Sequence, residues 1–152
     1  QVMTDGTIYE NSKSIDLNDM LYVLTSKEKI SGLPVSLDIK EKITIKGRPL
    51  AIERLFSNLI NNALTYGEGV EISAEKLNGE IIIKIMDRGP GLSDEEKVNV
   101  FEPYYRLEHN ISSNHSGLGL SIARNIVNIH GGEIELKDRQ GGGLIVEVYF
   151  PS

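Results

Sequence analysis

A two-layer α/β sandwich, with one mixed sheet and its helices packed on a single face, is the fold class this sequence predicts. Three observations predict it. Two stretches, 49–66 and about 118–130, carry apolar residues at helical spacing. Several others alternate apolar and polar residues as half-buried strands do. These segments also come in groups, in the order helix, strands, helix, strands, loop, helix, strands. That order differs from a strict alternation and favours helices gathered on one side of a sheet.

Residues 1–15 (QVMTDGTIYENSKSI) are polar with little periodicity and are expected to be a linker leading into a single domain over 16–152. Asp16 supplies an N-cap for a helix bearing Leu17, Met20, Leu21 and Leu24, which Gly32 and Pro34 end. Val35, Leu37 and Ile39 alternate as a strand, and Ile43 and Ile45 point to a second. Pro49 suits the first turn of a long helix. Its Ile52, Leu55, Phe56, Leu59, Ile60 and Ala63 form one apolar stripe that must face a core, and Gly67 stops it. Strands over about 70–75 and 80–86 flank an Asn78-Gly79 turn. Ser93-Asp94-Glu95-Glu96 has the pattern of a capping box and opens a short helix toward Val100. Residues 106–116 are polar and read as a loop. The second long helix sets Leu118, Ile122, Ile126 and Ile129 on one face and closes at Gly131-Gly132. After the Gly141-Gly142-Gly143 turn, Leu144, Val146, Val148 and Phe150 alternate with Ile145, Glu147 and Tyr149 as a final strand.

The composition narrows the function. The chain has 152 residues, enough for one core, with 39% hydrophobic and 25% charged residues, as in a soluble globular protein. A net charge of −6 with scattered Lys and Arg argues against nucleic-acid binding, which calls for a basic face. It leaves room for an anionic nucleotide, because backbone amides, helix N-termini and a bound cation supply positive potential locally. Without cysteine there is neither a disulfide nor a thiolate site. The apolar run Ile81 to Met86 is too short to span a bilayer, and no signal peptide is evident. Beginning at Gln1, the chain reads as a piece of something longer.

Three segments carry candidate chemistry, each ordinary when taken alone. Asn58 and Asn62 stand four residues apart on the flank of the long apolar stripe, with Asn61 beside them. Asn is disfavoured in helix interiors, so the pair asks for a reason. A solvated polar edge is one; a carbonyl oxygen offered by Asn62 to Mg²⁺ is the other. Asp87-Arg88-Gly89-Pro90-Gly91 follows a strand. Its bland reading is a turn. Its functional reading is a buried carboxylate accepting from the exocyclic amine of adenine, with Gly89 and Gly91 letting backbone approach the ring. Gly117-Leu118-Gly119-Leu120 opens the last helix, either as a plain connector or as a phosphate-binding helix start. The chain contains neither a P-loop nor a dinucleotide-binding GxGxxG.

Taken in order, Asn58–Ala63, Asp87–Leu92, Phe101–Arg106 and Ser116–Leu120 resemble the N, G1, F and G2 boxes of bacterial sensor histidine kinases. That family shares the Bergerat fold with gyrase, Hsp90 and MutL. The likeness runs over roughly 16–151, and Ile15 to Gly67 looks most similar to the osmosensor type. The resemblance implies a catalytic domain that binds ATP and Mg²⁺. It would pass the γ-phosphoryl to a histidine on a separate helical dimerisation domain of the same protein, which in turn serves a response regulator. It gives Asn62 the metal and Asn58 the phosphates or the metal's water. Asp87 would take the adenine amine, Gly89 and Gly91 the pocket shape, and Tyr66 the base or ribose. Phe101 would anchor one hinge of a lid and Arg106 reach the phosphates; the lid would be the polar loop 107–116, from Leu107, closing over ATP with Ser116, Gly117, Leu118, Gly119 and Leu120 at its far hinge. The resemblance further implies a cytoplasmic domain whose parent lies in the bacterial inner membrane, and a monomer for this piece by itself.

Two departures stand out: Thr65 where many relatives have a basic residue, and His115 where many have Gly. They are the only sequence support for a rival reading, a degenerate domain that senses nucleotide or docks partners without catalysis. A gyrase-like or Hsp90-like ATPase, or an anti-sigma-factor-like serine kinase, is disfavoured by Asn58. Those relatives have Glu there, and an amide is no general base. His109, His115 and His130 lack the setting of a phosphoacceptor and are expected to be structural or solvent-facing.

Overall fold

The computed structural model describes residues 11–29, 34–66, 69–103, 105 and 119–152, with the side chains of 27–29 and Tyr66 outside that description. The elements run β1 (Lys13–Asp16), α1 (Leu17–Lys29), β2 (Val35–Ile39), β3 (Thr44–Gly47), α2 (Pro49–Tyr66), β4 (Val70–Leu77), β5 (Glu80–Met86), α3 (Asp94–Asn99), α4 (Gly119–Ile129), β6 (Glu133–Asp138) and β7 (Leu144–Pro151). The main sheet has the order β2-β4-β5-β7-β6, with β2 parallel to β4 and the other neighbours antiparallel. It is therefore mixed, and α1, α2 and α4 share one core with one of its faces.

Local chemistry sets the ends of the elements. The Asp16 carboxylate accepts from the Asp19 amide at 3.0 Å and caps α1. At α3, the Glu96 amide donates to Ser93 Oγ (3.1 Å) and the Ser93 amide to Glu96 Oε1 (2.9 Å), completing the capping box. Asn78 and Gly79 both take positive φ, +52° and +82°, as a tight hairpin turn between β4 and β5 requires.

The apolar stripe of α2 is buried along its whole length: Ile52, Leu55, Phe56, Leu59, Ile60 and Ala63. It meets Ile72 and Ala74 of β4, Ile81, Ile83 and Ile85 of β5, and Val146, Val148 and Phe150 of β7 in a single core.

Two details depart from the expectations. The segment before Asp16 carries a strand: β1 pairs with β3 in a separate two-stranded sheet, so the strand expected around Ile43 and Ile45 belongs to that sheet instead of the main one. Ile15 and Ile45 face each other there and are both buried. The buried seam of α4 is Ala123, Ile126 and Val127, whereas Ile129, expected on it, is 53% exposed. Ala123, Ile126 and Val127 stand at i, i+3 and i+4, so the buried seam is centred to one side of the 122–126–129 row and Ile129 falls on its exposed flank. Two strands follow α4, as the order of segments predicts; in the first of them, β6, Ile134 and Leu136 are half-buried among Glu133, Glu135 and Lys137.

Candidate nucleotide site

Sheet register puts several of the expected site residues at one end of the molecule. Glu71 of β4 pairs with Met86 of β5, so Asp87 leaves the sheet just where β4 enters it. Because β4 follows α2 closely, the C-terminal end of α2, with Asn58 and Asn62, lies at the same end. α4 packs beside α2 and begins there, since the first residue of α4 approaches Asn62: a Cβ built on Gly119 would sit 3.4 Å from the Asn62 amide. Two boxes that lie 57 positions apart are thus in contact across two helices (Asn62 and Gly119).

Asp87 is one of few buried charged residues, 5% exposed. One carboxylate oxygen, Oδ1, accepts from the Gly89 amide at 2.8 Å. Burial pushes its pKa above the ordinary 3.8, and the amides of Gly89 and Leu144 and the charge of Arg139 only partly offset this. A buried carboxylate with lone pairs left over is an acceptor waiting for a donor.

The wall behind Asp87 is built from backbone. The Asp87 amide donates to the Leu144 carbonyl (3.0 Å). Gly143, at φ +113°, lies so close that a Cβ would stand 2.0 Å from the Asp87 carbonyl oxygen, and a Cβ on Gly91, at φ +72°, would stand 3.2 Å from the Gly143 carbonyl. Gly143 leaves no room for a side chain, and the positive φ and tight approach of Gly91 favour glycine there too.

Phe101 is half-buried, and the Arg124 guanidinium of α4 lies 4.7 Å from its ring centroid, a cation–π contact that ties this segment to the last helix. Asn58 and Asn62 are half-buried, Asn61 and Thr65 are exposed, and the Thr65 hydroxyl donates to the Asn61 carbonyl at 2.8 Å. Gly89 and Leu120 are half-buried beside these groups. Arg106, Leu107, Ser116, Gly117 and Leu118, with His109 and His115, lie outside the described residues, as does the Tyr66 side chain. His130 is structural: its Nε2 accepts from the Arg48 amide (3.0 Å), its Nδ1 lies 2.7 Å from the Ile126 carbonyl, and its ring meets Phe150 edge-on.

Residues 47–152 match the model of the histidine kinase-, DNA gyrase B- and HSP90-like ATPase family. The chain belongs to that family. Within this ATPase family it is similar to the sensor histidine kinase GtrS of Pseudomonas aeruginosa, at 37% identity over 99% of the chain. The match takes in 31% of GtrS, so the chain spans about a third of that relative's length. Among solved structures, the ATP-binding domain of PrrB from Mycobacterium tuberculosis superposes with a TM-score of 0.79 at 25% identity, over 94% of this chain and 98% of that one. The histidine kinase domain of the E. coli osmosensor EnvZ gives 0.72 at 28%, over 95% and 91%. Over nearly its whole length the chain is thus similar to the catalytic and ATP-binding domains of sensor histidine kinases.

Sequence reading missed the closeness of Gly143 to Asp87 and the Arg124–Phe101 contact. A triple glycine announces a turn but not what the turn touches. Among the described residues no helix is long and apolar enough to cross a membrane.

Proposed function

We propose that this domain binds Mg²⁺-ATP and presents the γ-phosphoryl to an imidazole on a separate helical domain of its parent protein. The observation that carries the reading is the meeting of Asn62 with the first turn of α4 at the end of the sheet where Asp87 is buried. In this reading the free lone pairs of Asp87 accept from the adenine amine, while Gly89 and Gly91 leave room for the ring. The first turn of α4 contains no acidic residue, so the positive end of the helix is left for phosphate oxygens.

The donor set fits Mg²⁺ shared with a nucleotide. Among the described residues no group of three acidic or histidine side chains could hold a metal unaided. Mg²⁺ in phosphate-transfer sites takes one or two protein oxygens and completes its shell with phosphates and water. The Asn62 carbonyl oxygen would be the protein's ligand, with Asn58, one turn earlier, ordering phosphate or water. Bound there, the ion supplies neutralisation of phosphate charge. The chain's own part is positioning: holding the base, turning the phosphates toward α4 and keeping the terminal one accessible. Arg106 and the loop 107–116 are assigned by this reading to the phosphates and to covering them. The accepting histidine, the response regulator it serves and the membrane attachment of the parent all belong to the same proposal.

Calorimetric titration of ATP tests it. We expect one site per chain in the presence of Mg²⁺ and about tenfold weaker binding in Asn62→Ala, with the two proteins alike once the metal is chelated. Transfer of radiolabelled phosphate to a supplied histidine-bearing helical domain is the companion experiment. No binding by the parent chain, or an Asn62→Ala loss that persists without metal, would refute the assignment.

A further inference from the structure

The residue after Asp87 reaches to the turn between β6 and β7. Arg88 is exposed, and its Nη1 donates to two carbonyls of the turn between β6 and β7, Gln140 at 2.7 Å and Gly142 at 3.2 Å. The turn is closed on itself: the Gly142 amide donates to the Arg139 carbonyl at 2.9 Å, and the Arg139 amide to the Gly143 carbonyl at 3.1 Å. Arg139 anchors it to β4 through an ion pair with Glu71 at 2.7 Å. The same turn presses Gly143 onto the Asp87 carbonyl and stands against Gly91. The backbone on both sides of the Asp87 side chain is therefore referenced to one turn, and Arg88 is the side chain that reaches from this segment to clasp it.

We infer that Arg88 is a positioning residue for base recognition: by clasping the Gln140–Gly143 turn it fixes the aim of the Asp87 carboxylate, and with it the preference for an adenine amine. The inference rests on the proposed reading of Asp87 as the group that accepts from that amine. Arg88 acts through the backbone and leaves phosphate binding to α2 and α4. Its loss should therefore change which base is preferred, and not the affinity for nucleotides in general. A residue that merely stabilised the fold would weaken every nucleotide alike or lower the melting temperature.

The test compares ATP with purine riboside triphosphate, which lacks the 6-amino group, as ligands of the whole chain and of Arg88→Gln, Arg88→Lys and Asp87→Asn. For Arg88→Gln we expect the ATP Kd to rise about tenfold, with the Kd for the purine analogue within about twofold of the parent. Arg88→Lys, which can still reach one carbonyl, should recover part of the ATP preference, and the melting temperature should hold. Equal weakening of both ligands in Arg88→Gln, or an unchanged preference for ATP, would overturn the role of Arg88. If Asp87→Asn loses the preference while Arg88→Gln keeps it, only the positioning role falls. If the parent itself shows no preference and Asp87→Asn changes nothing, the reading of Asp87 falls and takes this inference with it.

Discussion

Asp87 carries a conflict that a ligand can relieve. Its pKa is raised chiefly by burial, so the ionised form is the costly one in the folded state. Between the unfolded value near 3.8 and the raised folded value, the native state holds more proton than the unfolded state, and stability falls as pH rises through that window. Above the folded value the whole cost is present. Asp87→Asn removes the charge and keeps an acceptor for the Gly89 amide. It should melt above the parent chain at neutral pH in the absence of ligand, with the gap closing toward pH 4, as scanning calorimetry across pH would show. The same variant should bind ATP at least about tenfold more weakly, because an amide nitrogen would face the adenine amine with a donor against a donor. A variant that lost both stability and affinity would show that the carboxylate supports the unliganded fold instead of straining it. The identity of this residue was open to sequence reading, since Asp at a strand end before two glycines is visible as letters. Its burial was not, because burial depends on segments far away in sequence, such as Gly143, 56 positions later, whose backbone packs on the Asp87 carbonyl and which no local pattern encodes.

Among the elements, the face of the sheet turned away from the helices shows how β6 is held. Glu147 of β7 is 5% exposed, accepts from Lys137 of β6 at 2.8 Å and from the Tyr149 hydroxyl, and has Lys84 of β5 at 3.9 Å. Burial by itself would raise its pKa; the bonds from Lys137 and Tyr149 outweigh it, and the group titrates below its ordinary 4.5. Its contribution is present above 4.5 and is lost as pH falls through the lower folded value. Glu147→Gln should therefore cost about 1–2 kcal/mol at neutral pH, and less in acid, measured by urea unfolding at both conditions. An equal cost at both would assign the effect to packing. This cluster also explains why β6 was hard to see in the sequence. Ile134 and Leu136 reach only half-burial, and the strand owes much of its place to charges on the other face. The helix α2, by contrast, was legible in full, because six core positions at one spacing leave a single solution. β1 is four residues long with one buried side chain, too short for any period to show.

The molecule as a whole has one core: α1, α2 and α4 share it with the main sheet and with the small β1–β3 pair. Phe56, fully buried in the middle of α2, belongs to this core. Phe56→Ala should destabilise the chain by about 3–5 kcal/mol. Far-UV dichroism and tyrosine fluorescence should still follow one coincident transition, since no described element has a core of its own. Two separated transitions would mean that the β1–α1–β3 region unfolds by itself. At this scale the fold class was legible and the pairing was not. Alternating segments announce strands, but which strand takes the middle of the sheet depends on register between residues far apart in sequence.

That strand order has a consequence for biogenesis. The late strand β7 lies between β5 and β6, in register from Glu80↔Pro151 to Met86↔Ile145. As the polypeptide leaves the ribosome, β5 emerges with one edge bare and keeps it bare through the 57 residues 87–143, a run of aliphatic side chains looking for a partner. β6 then appears with nothing to pair with until β7 follows. The proposed nucleotide site is delayed with them, because Gly143 and Leu144 arrive together with the strand that fills the gap. Nascent chains should therefore lean on holdase chaperones at β5 and gain the ability to hold ATP in one late step.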